Sequence, residues 1–430
     1  MKILHIVPTY NPAFRRGGPI VSVHNLNKWL VRKGVDVTVY TTDIDTDGKA
    51  PIARISKDGL ENELILDGVK VYFFKHSFPR VWEYWRVGFV PAFLPRHWEY
   101  SKDLHGALIR NTKNFDLVHA TSTFLFASIL GAHYAKKFKK PYIISPRGNL
   151  MEPLELKGAA AKKMYIRLFE KEALRDAVIH CTVPAEKEHY KRHKLPLRDS
   201  IVIPNGVEEE EFFDSPEKGY FRKKFNIGDD EKMILFLGRI NWKKGLDTLI
   251  PAFAEVVKKE PRVVLVIAGA DDDGYKKKIE CLIREHPILI STNQPDRHKS
   301  AFYNVIFTDM LLGKDKLGAL KDADVFVLPS YSENFGMAVV EAMRMSVPVV
   351  VTRYVGISPY LTESGAGIVV DKDENELSEA ILKVLGNITF AKEIGEKGRK
   401  LIQEKFAMPM VADQFFAAYN KIIKSYEIRK

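Results

Sequence analysis

Apolar residues along this chain fall into two patterns: short unbroken runs, and longer stretches in which they recur every three or four positions. The runs predict strands at Lys2–Val7, Asp36–Thr41, Val69–Phe74, Leu117–Ala120, Tyr142–Ser145, Val178–Thr182 and Ser200–Ile203. A second series follows at Met233–Leu237, Val263–Ala268, Val305–Phe307, Val325–Leu328, Val347–Val351 and Gly367–Val370. Between them, Ile20, Val23, Leu26 and Leu30, and later Leu246, Leu249, Ile250 and Phe253, sit at helical spacing. Helices are also expected at 157–175, 275–284, 314–321, 374–385 and 409–424. Unbroken apolar strands are those covered on both faces, so strands alternating with helices imply mainly parallel sheets. The predicted class is α/β, with two doubly wound, Rossmann-like halves and a cleft between their strand carboxyl ends. The turn Pro204-Asn205-Gly206-Val207 and the acid run Glu208–Glu211 mark the change of half. The expected domains are therefore 1–204 and 205–405, with a helix at 406–430.

Composition narrows the class. At 430 residues, 46% hydrophobic and 28% charged, the chain is ordinary for a globular protein of two domains. No stretch approaches the roughly 18 apolar residues that span a bilayer, and the apolar start is too short for a signal peptide. Two cysteines, Cys181 and Cys281, make no disulfide framework and fit a reducing, cytoplasmic setting. The net charge of +11 is uneven: residues 1–200 hold 33 Lys and Arg against 20 Asp and Glu, and the remainder sums to −2. A uniformly basic chain would suggest nucleic acid, which is not an expected partner here; a basic half joined to a neutral half suggests two jobs, and one candidate for the basic half is an anionic lipid surface or a phosphate-bearing acceptor. Residues 81–100 interleave Trp82, Trp85 and Trp98 with Arg86 and Arg96. That composition suits a membrane interface or glycan stacking, and equally a loop folded onto the core.

The most informative stretch is 325–351. A strand ends at Pro329-Ser330, a loop carries Glu333 and Asn334, and Gly336 opens an apolar helical segment that holds Glu341 about two turns in. In an open α/β sheet, ligands bind at strand carboxyl ends beside helix N-termini, where free N–H groups favour phosphate. A carboxylate there accepts hydrogen bonds from hydroxyls. Amides for phosphate flanked by acids for hydroxyls describe a sugar-nucleotide site. A surface acid plus a Glu341–Arg344 helical pair is the plain alternative. Arg239 and Lys244, five apart in another strand-to-helix loop, offer cations to phosphate oxygens, and would read as solvated loop cations without Glu333; Gly17-Gly18 before the first helix would let amides approach phosphate closely, with a simple flexible turn an equal alternative.

The S-x-x-E-x-F-G-x-x-x-x-E-A pattern carried by Glu333, Phe335, Gly336 and Glu341 resembles the donor-site signature of the group-1 retaining glycosyltransferases, which have the GT-B fold. The Gly-Gly loop, the Pro-Asn-Gly-Val linker, Gly238-Arg239 and the Asp322–Ser330 segment extend the resemblance over most of the chain. The likeness implies that Glu333 contacts donor-sugar hydroxyls and Glu341 the ribose. It implies that Arg239 and Lys244 stabilise the departing diphosphate, and that N–H groups of Phe335, Gly336 and Met337 hold sugar or phosphate. Gly17 and Gly18 would close on the diphosphate, and the last helix would cross back to the first domain.

Two departures stand out. The His-x-His of many relatives reads His119-Ala120-Thr121 here, and their Pro-His-Gly reads Pro146-Arg147-Gly148. His119 and Arg147 are the candidates for contacting the reacting sugar, with a core histidine an equal alternative for His119. Asp271-Asp272-Asp273 could be a metal-binding pattern or a solvated turn; no catalytic metal and no cofactor beyond the nucleotide-sugar co-substrate are expected. The expected partners are a nucleotide-sugar donor and a glycan or lipid-linked acceptor in polysaccharide, lipopolysaccharide or glycolipid synthesis, with peripheral contact to the inner membrane face left open. A sugar-nucleotide epimerase of related fold, or a non-catalytic sugar-nucleotide-binding protein, are the rival readings. An epimerase would form an isomer without acceptor; a binding protein would neither hydrolyse nor transfer.

Overall fold

The structure is a computed structural model. It describes residues 1–13, 18–44, 46, 50–56, 59–76, 100–123, 125–149, 170–192, 196–271, 274–290, 302 and 304–428, with Gly18, Pro19 and Arg192 as backbone only. The Trp-rich segment 81–99, Gly17, most of the expected helix 157–175, and Asp272 and Asp273 lie outside the described residues. The chain divides into two compact units, Met1–Gly206 with Met408–Lys430, and Val207–Ala407.

The first unit contains β1 (Lys2–Ile6), β2 (Asp36–Thr42), β3 (Arg54–Ile55), β4 (Leu60–Glu61), β5 (Leu64–Leu66), β6 (Val69–Phe74), β7 (Leu117–Thr121), β8 (Tyr142–Ser145), β9 (Val178–Cys181) and β10 (Asp199–Val202). Eight of these form one sheet in the order β10-β9-β8-β7-β1-β2-β6-β5, parallel except between β5 and β6. Side chains alternate between its faces. Leu4, Ile6, Val118, Ala120 and Ile144 pack with Leu104, Leu108 and Leu130 from two helices on one side. Ile3, Val37, Val39, Leu117 and Ile143 face the other, with Val23, Leu26 and Leu30 of the helix Gly18–Arg32. Val411, Phe415 and Tyr419 of the C-terminal helix Met408–Glu427 join this second face, each at most 2% exposed. Burying such side chains stabilises by about 1.5–3 kcal/mol each as an upper estimate, which is why this helix belongs to the first unit although it follows the second in sequence. Cys181 is wholly buried in the core of the first face.

The second unit contains β11 (Lys232–Leu237), β12 (Val263–Ala268), β13 (Val305–Thr308), β14 (Val325–Leu328), β15 (Val349–Thr352) and β16 (Ile368–Val370). All pair in parallel in the order β13-β12-β11-β14-β15-β16. Counted from β11, this is the doubly wound order 3-2-1-4-5-6, whose direction reverses between β11 and β14. Every residue of β12, β14 and β15 is buried, as their unbroken apolar runs require. Two local expectations need correction. The helix after Gly336 runs Met337–Arg344, starting where the sequence places it, but at 3.6 residues per turn its fifth residue, Glu341, is just over one turn in, not two. The strand after it starts at Val349, since Pro348 has no N–H to give a ladder.

Candidate active site

The reversal between β11 and β14 brings two loops together in the second unit. Gly245 closes the β11 loop in a left-handed conformation, φ +67°, and a Cβ there would stand 2.0 Å from the Pro329 carbonyl oxygen. Only glycine permits that contact. The Tyr331 N–H donates to the Lys243 carbonyl at 2.7 Å, joining the loops by backbone as well. Lys244 is thereby aimed at the β14 loop, where its Nζ makes an ion pair with the Glu333 carboxylate. The two side chains are 16% and 23% exposed, so water screens this pair far less than a surface one.

Glu333 is fixed on both sides. Its N–H donates to the Tyr354 carbonyl at 3.1 Å and its carbonyl accepts from Gly356 N–H at 2.9 Å. Ile357 N–H donates to the Phe335 carbonyl at 3.1 Å. Gly356 allows this staple, because a Cβ at that position would meet the Asn334 carbonyl oxygen at 1.9 Å. Asn334 is half-buried beside it. The Phe335 ring is 2% exposed and stands edge-on to Phe406, so this residue offers a ligand only its backbone.

The helix Met337–Arg344 starts with Gly336 as its N-cap and no side-chain cap. Val339 and Val340 donate back to the Gly336 carbonyl, but no described residue accepts from the N–H groups of Phe335, Gly336, Met337 or Ala338. Such unspent donors at a helix start favour an anion. Arg239 lies exposed in the loop after β11. One turn into the helix, Glu341 Oε1 is 3.2 Å from Lys316 Nζ of the helix Gly313–Asp322. Arg344, the partner expected from helical spacing, instead pairs with Glu209 at 2.5 Å. Lys316 escapes sequence reasoning because no motif connects its helix with that of Glu341.

The first-unit candidates fall differently. His119, in mid β7, is wholly buried; its Nδ1 is hydrogen-bonded to Tyr419 OH at 2.7 Å and its Nε2 to Ser145 Oγ at 2.6 Å. Its ring stacks on His5 at 4.3 Å, and Ser145 Oγ continues to His180 Nδ1 at 2.7 Å. Thr121, in the second histidine position, is hydrogen-bonded to His5 Nε2 at 2.9 Å. Burial pushes His5 down to about 4 and His180 to about 3, and holds His119 well below its usual range. His119 is therefore held neutral in the core with both ring nitrogens hydrogen-bonded, as the core-histidine alternative expects. Arg147 follows Pro146 in a left-handed conformation, φ +54°, and donates from Nη1 to Asn205 Oδ1. Burial lowers its pKa to about 10, opposed by the nearby Glu186 carboxylate. Glu186 accepts from Gly148 N–H at 3.0 Å and from Thr182 N–H at 2.7 Å, which fixes the turn that carries Arg147. Gly18 is the first residue of the helix Gly18–Arg32.

Asp271 accepts from the Lys276 N–H at 3.3 Å, and among the described residues no three His, Cys, Asp or Glu side chains group as metal ligands. No helix among the described residues is long and apolar enough to cross a membrane.

Comparison with known proteins gives these loops a family. Residues 217–401 match the profile for glycosyl transferases group 1, and residues 17–206 that for the glycosyl transferase 4-like domain. A glycosyltransferase of Methanocaldococcus jannaschii is 32% identical over 432 residues, 98% of either chain. The alpha-monoglucosyldiacylglycerol synthase of Streptococcus pneumoniae is 27% identical over 76% of this chain and 73% of its own. Among solved structures, sucrose-phosphate synthase from Thermosynechococcus elongatus superposes with a TM-score of 0.71 at 20% identity, covering 99% of this chain and 100% of its own. Anabaena HepE in complex with UDP-glucose does so at 0.71 and 17%, covering 98% and 100%. These neighbours share the GT-B fold of two Rossmann-like bodies. The chain belongs to the group-1 glycosyltransferase family, enzymes of GT-B fold that transfer a sugar from a nucleotide sugar.

Proposed function

We propose that this glycosyltransferase is a retaining one, moving a hexosyl group from a nucleoside diphosphate to a hydroxyl of a glycan or lipid-linked acceptor. The observation that carries the reading is the Lys244–Glu333 ion pair at the β11–β14 reversal, beside the unspent amides of residues 335–338. Glu333 accepts hydrogen bonds from donor-sugar hydroxyls, Glu341 from the ribose, and Arg239, Lys244 and the amides take the diphosphate. As the bond from the anomeric carbon to the diphosphate oxygen breaks, negative charge grows on that oxygen, and fixed cations there lower the barrier. The acceptor oxygen forms the new bond on the same face. Its proton passes to the departing phosphate, so the anomeric configuration is kept and no protein base is required. The leaving charge is carried by these side chains and amides rather than by a metal ion.

A uridine nucleotide and a lipid acceptor are the first substrates to try. HepE was solved with UDP-glucose, and the Streptococcus relative is named for a glucosyl diacylglycerol. The basic first 200 residues suit an anionic membrane surface, where such acceptors reside. The test offers UDP-, GDP-, ADP- and TDP-sugars with and without acceptor extract. Glu333→Gln and Arg239→Ala are each expected to abolish donor hydrolysis and transfer while the protein stays folded. Near-wild-type turnover in either variant contradicts the assignment, and an isomerised sugar nucleotide formed without acceptor supports an epimerase instead.

A further inference from the structure

Glu341 does not stand alone at the nucleotide end of the site. Lys316, partly buried on the helix Gly313–Asp322, holds Oε1 of Glu341 at 3.2 Å, and the two side chains are 27% and 16% exposed. Glu211, from the acid run that opens the second unit, is a second carboxylate acting on the same ammonium. Burial works against the Lys316 charge, but Glu341 and then Glu211 outweigh it and the pKa is raised, so the ammonium stays charged at neutral pH. The neighbouring Arg344 is engaged by Glu209. A glutamate side chain has several free rotors, and fixing them on binding costs entropy. It also repels an incoming diphosphate unless its charge is neutralised nearby. One lysine on one carboxylate oxygen answers both problems, and leaves Oε2 to accept from a ligand hydroxyl.

We infer that Lys316 is a positioning residue for the donor nucleotide: by anchoring Oε1 of Glu341 it turns Oε2 toward the ribose, and so sets the preference for ribose over 2′-deoxyribose. This rests on the reading of Glu341 as the ribose contact. Lys316 acts through Glu341 and touches neither sugar nor phosphate.

The test measures dissociation constants of UDP, GDP, ADP and CDP, each against its 2′-deoxy counterpart, by titration calorimetry on the full chain. It compares wild type with Lys316→Met, Lys316→Gln, Lys316→Arg, Glu341→Gln and the Lys316→Met/Glu341→Gln double variant, each checked by thermal unfolding. Wild type is expected to favour the ribonucleotide. Lys316→Met and Lys316→Gln lower that preference about tenfold, the size of one hydrogen bond to a charged acceptor, and Lys316→Arg restores part of it. In the Glu341→Gln background, Lys316→Met changes the preference no further. Three results overturn the inference: ribo- and deoxyribonucleotides weakened equally by Lys316→Met, a preference that does not move, or an effect that persists without Glu341. Failure of the underlying reading looks different, because Glu341→Gln itself would then leave the ribose preference at its wild-type value.

Discussion

The mainly parallel sheets of the two units differ in how the polar side chains on and beyond their strands are paired. In the first unit, polar side chains on β1, β7, β8 and β9 satisfy one another. His5 bonds Asn27 and Thr121, His119 bonds Tyr419 and Ser145, and His180 bonds Ser145 and the Ile203 carbonyl. The C-terminal helix seals this layer through Phe415 and Tyr419. In the second unit, the ends of β11 and β14 keep Lys244, Glu333 and four backbone N–H groups gathered but available. A buried polar group with all its partners rigidifies a core, whereas partly exposed opposite charges beside open donors suit a charged ligand. Among the described residues, the histidines of the first unit's strands are closed off by one another, while the second unit's loops keep a partly exposed ion pair beside open backbone donors.

The largest break in that contrast is expected from Lys244→Met. It removes a cation from the developing diphosphate charge and should cut transfer by about 100-fold or more, in a protein that still folds but melts lower because the Glu333 carboxylate loses its partner; a mild kinetic effect would sink the assignment. His119→Ala is the opposite case. It opens a cavity and strands Tyr419 and Ser145, so chemical denaturation should show a loss of about 2–4 kcal/mol, with nucleotide affinity of the folded protein unaltered. Weaker nucleotide binding without destabilisation would return His119 to the substrate.

Gly356→Ala probes the staple behind Glu333. Its Cβ would press on the Asn334 carbonyl, so about 1–3 kcal/mol of stability should be lost, together with activity, and unchanged melting would contradict the geometry. The buried histidines give a pH signature. His5 and His180 are held neutral at about 4 and 3, while the unfolded chain protonates them near 6.5, so the unfolded state binds more protons between those values. Stability is then fully present above pH 6.5 and declines as pH falls toward 4, by up to about 1.4 kcal/mol per pH unit for each histidine. His180→Gln should flatten the slope, and a melting temperature level across that range would count against the network. The smallest effect is expected at Arg262, whose pair with Asp230 is 68% and 64% exposed; Arg262→Ala should shift stability by less than about 0.5 kcal/mol.

Much of this was legible from the chain. Unbroken apolar runs such as 263–268 and 325–328 declared buried parallel strands, and the Glu333–Glu341 spacing with Arg239 and Lys244 pointed to a site. What could not be read is what depends on strand order. The reversal between β11 and β14, which pairs Lys244 with Glu333, is absent from any local pattern, and so is the Lys316–Glu341 contact between two helices. The sequence leaves His119 open between a sugar contact and a core residue for the same reason: its partners Ser145 and Tyr419 come from a neighbouring strand and a helix 300 positions later, which no local pattern announces. The short strands β3, β4 and β5 carry too few apolar positions to announce themselves.

One measurement bears most directly on which strand ends take the donor: amide hydrogen exchange with and without a saturating nucleoside diphosphate from the UDP, GDP and ADP set. The expected result is new protection at residues 335–338 and in the loop 239–245, with exchange in 117–121 unchanged. Protection confined to 117–121, with the amides of 335–338 as free as in the unliganded protein, would contradict it.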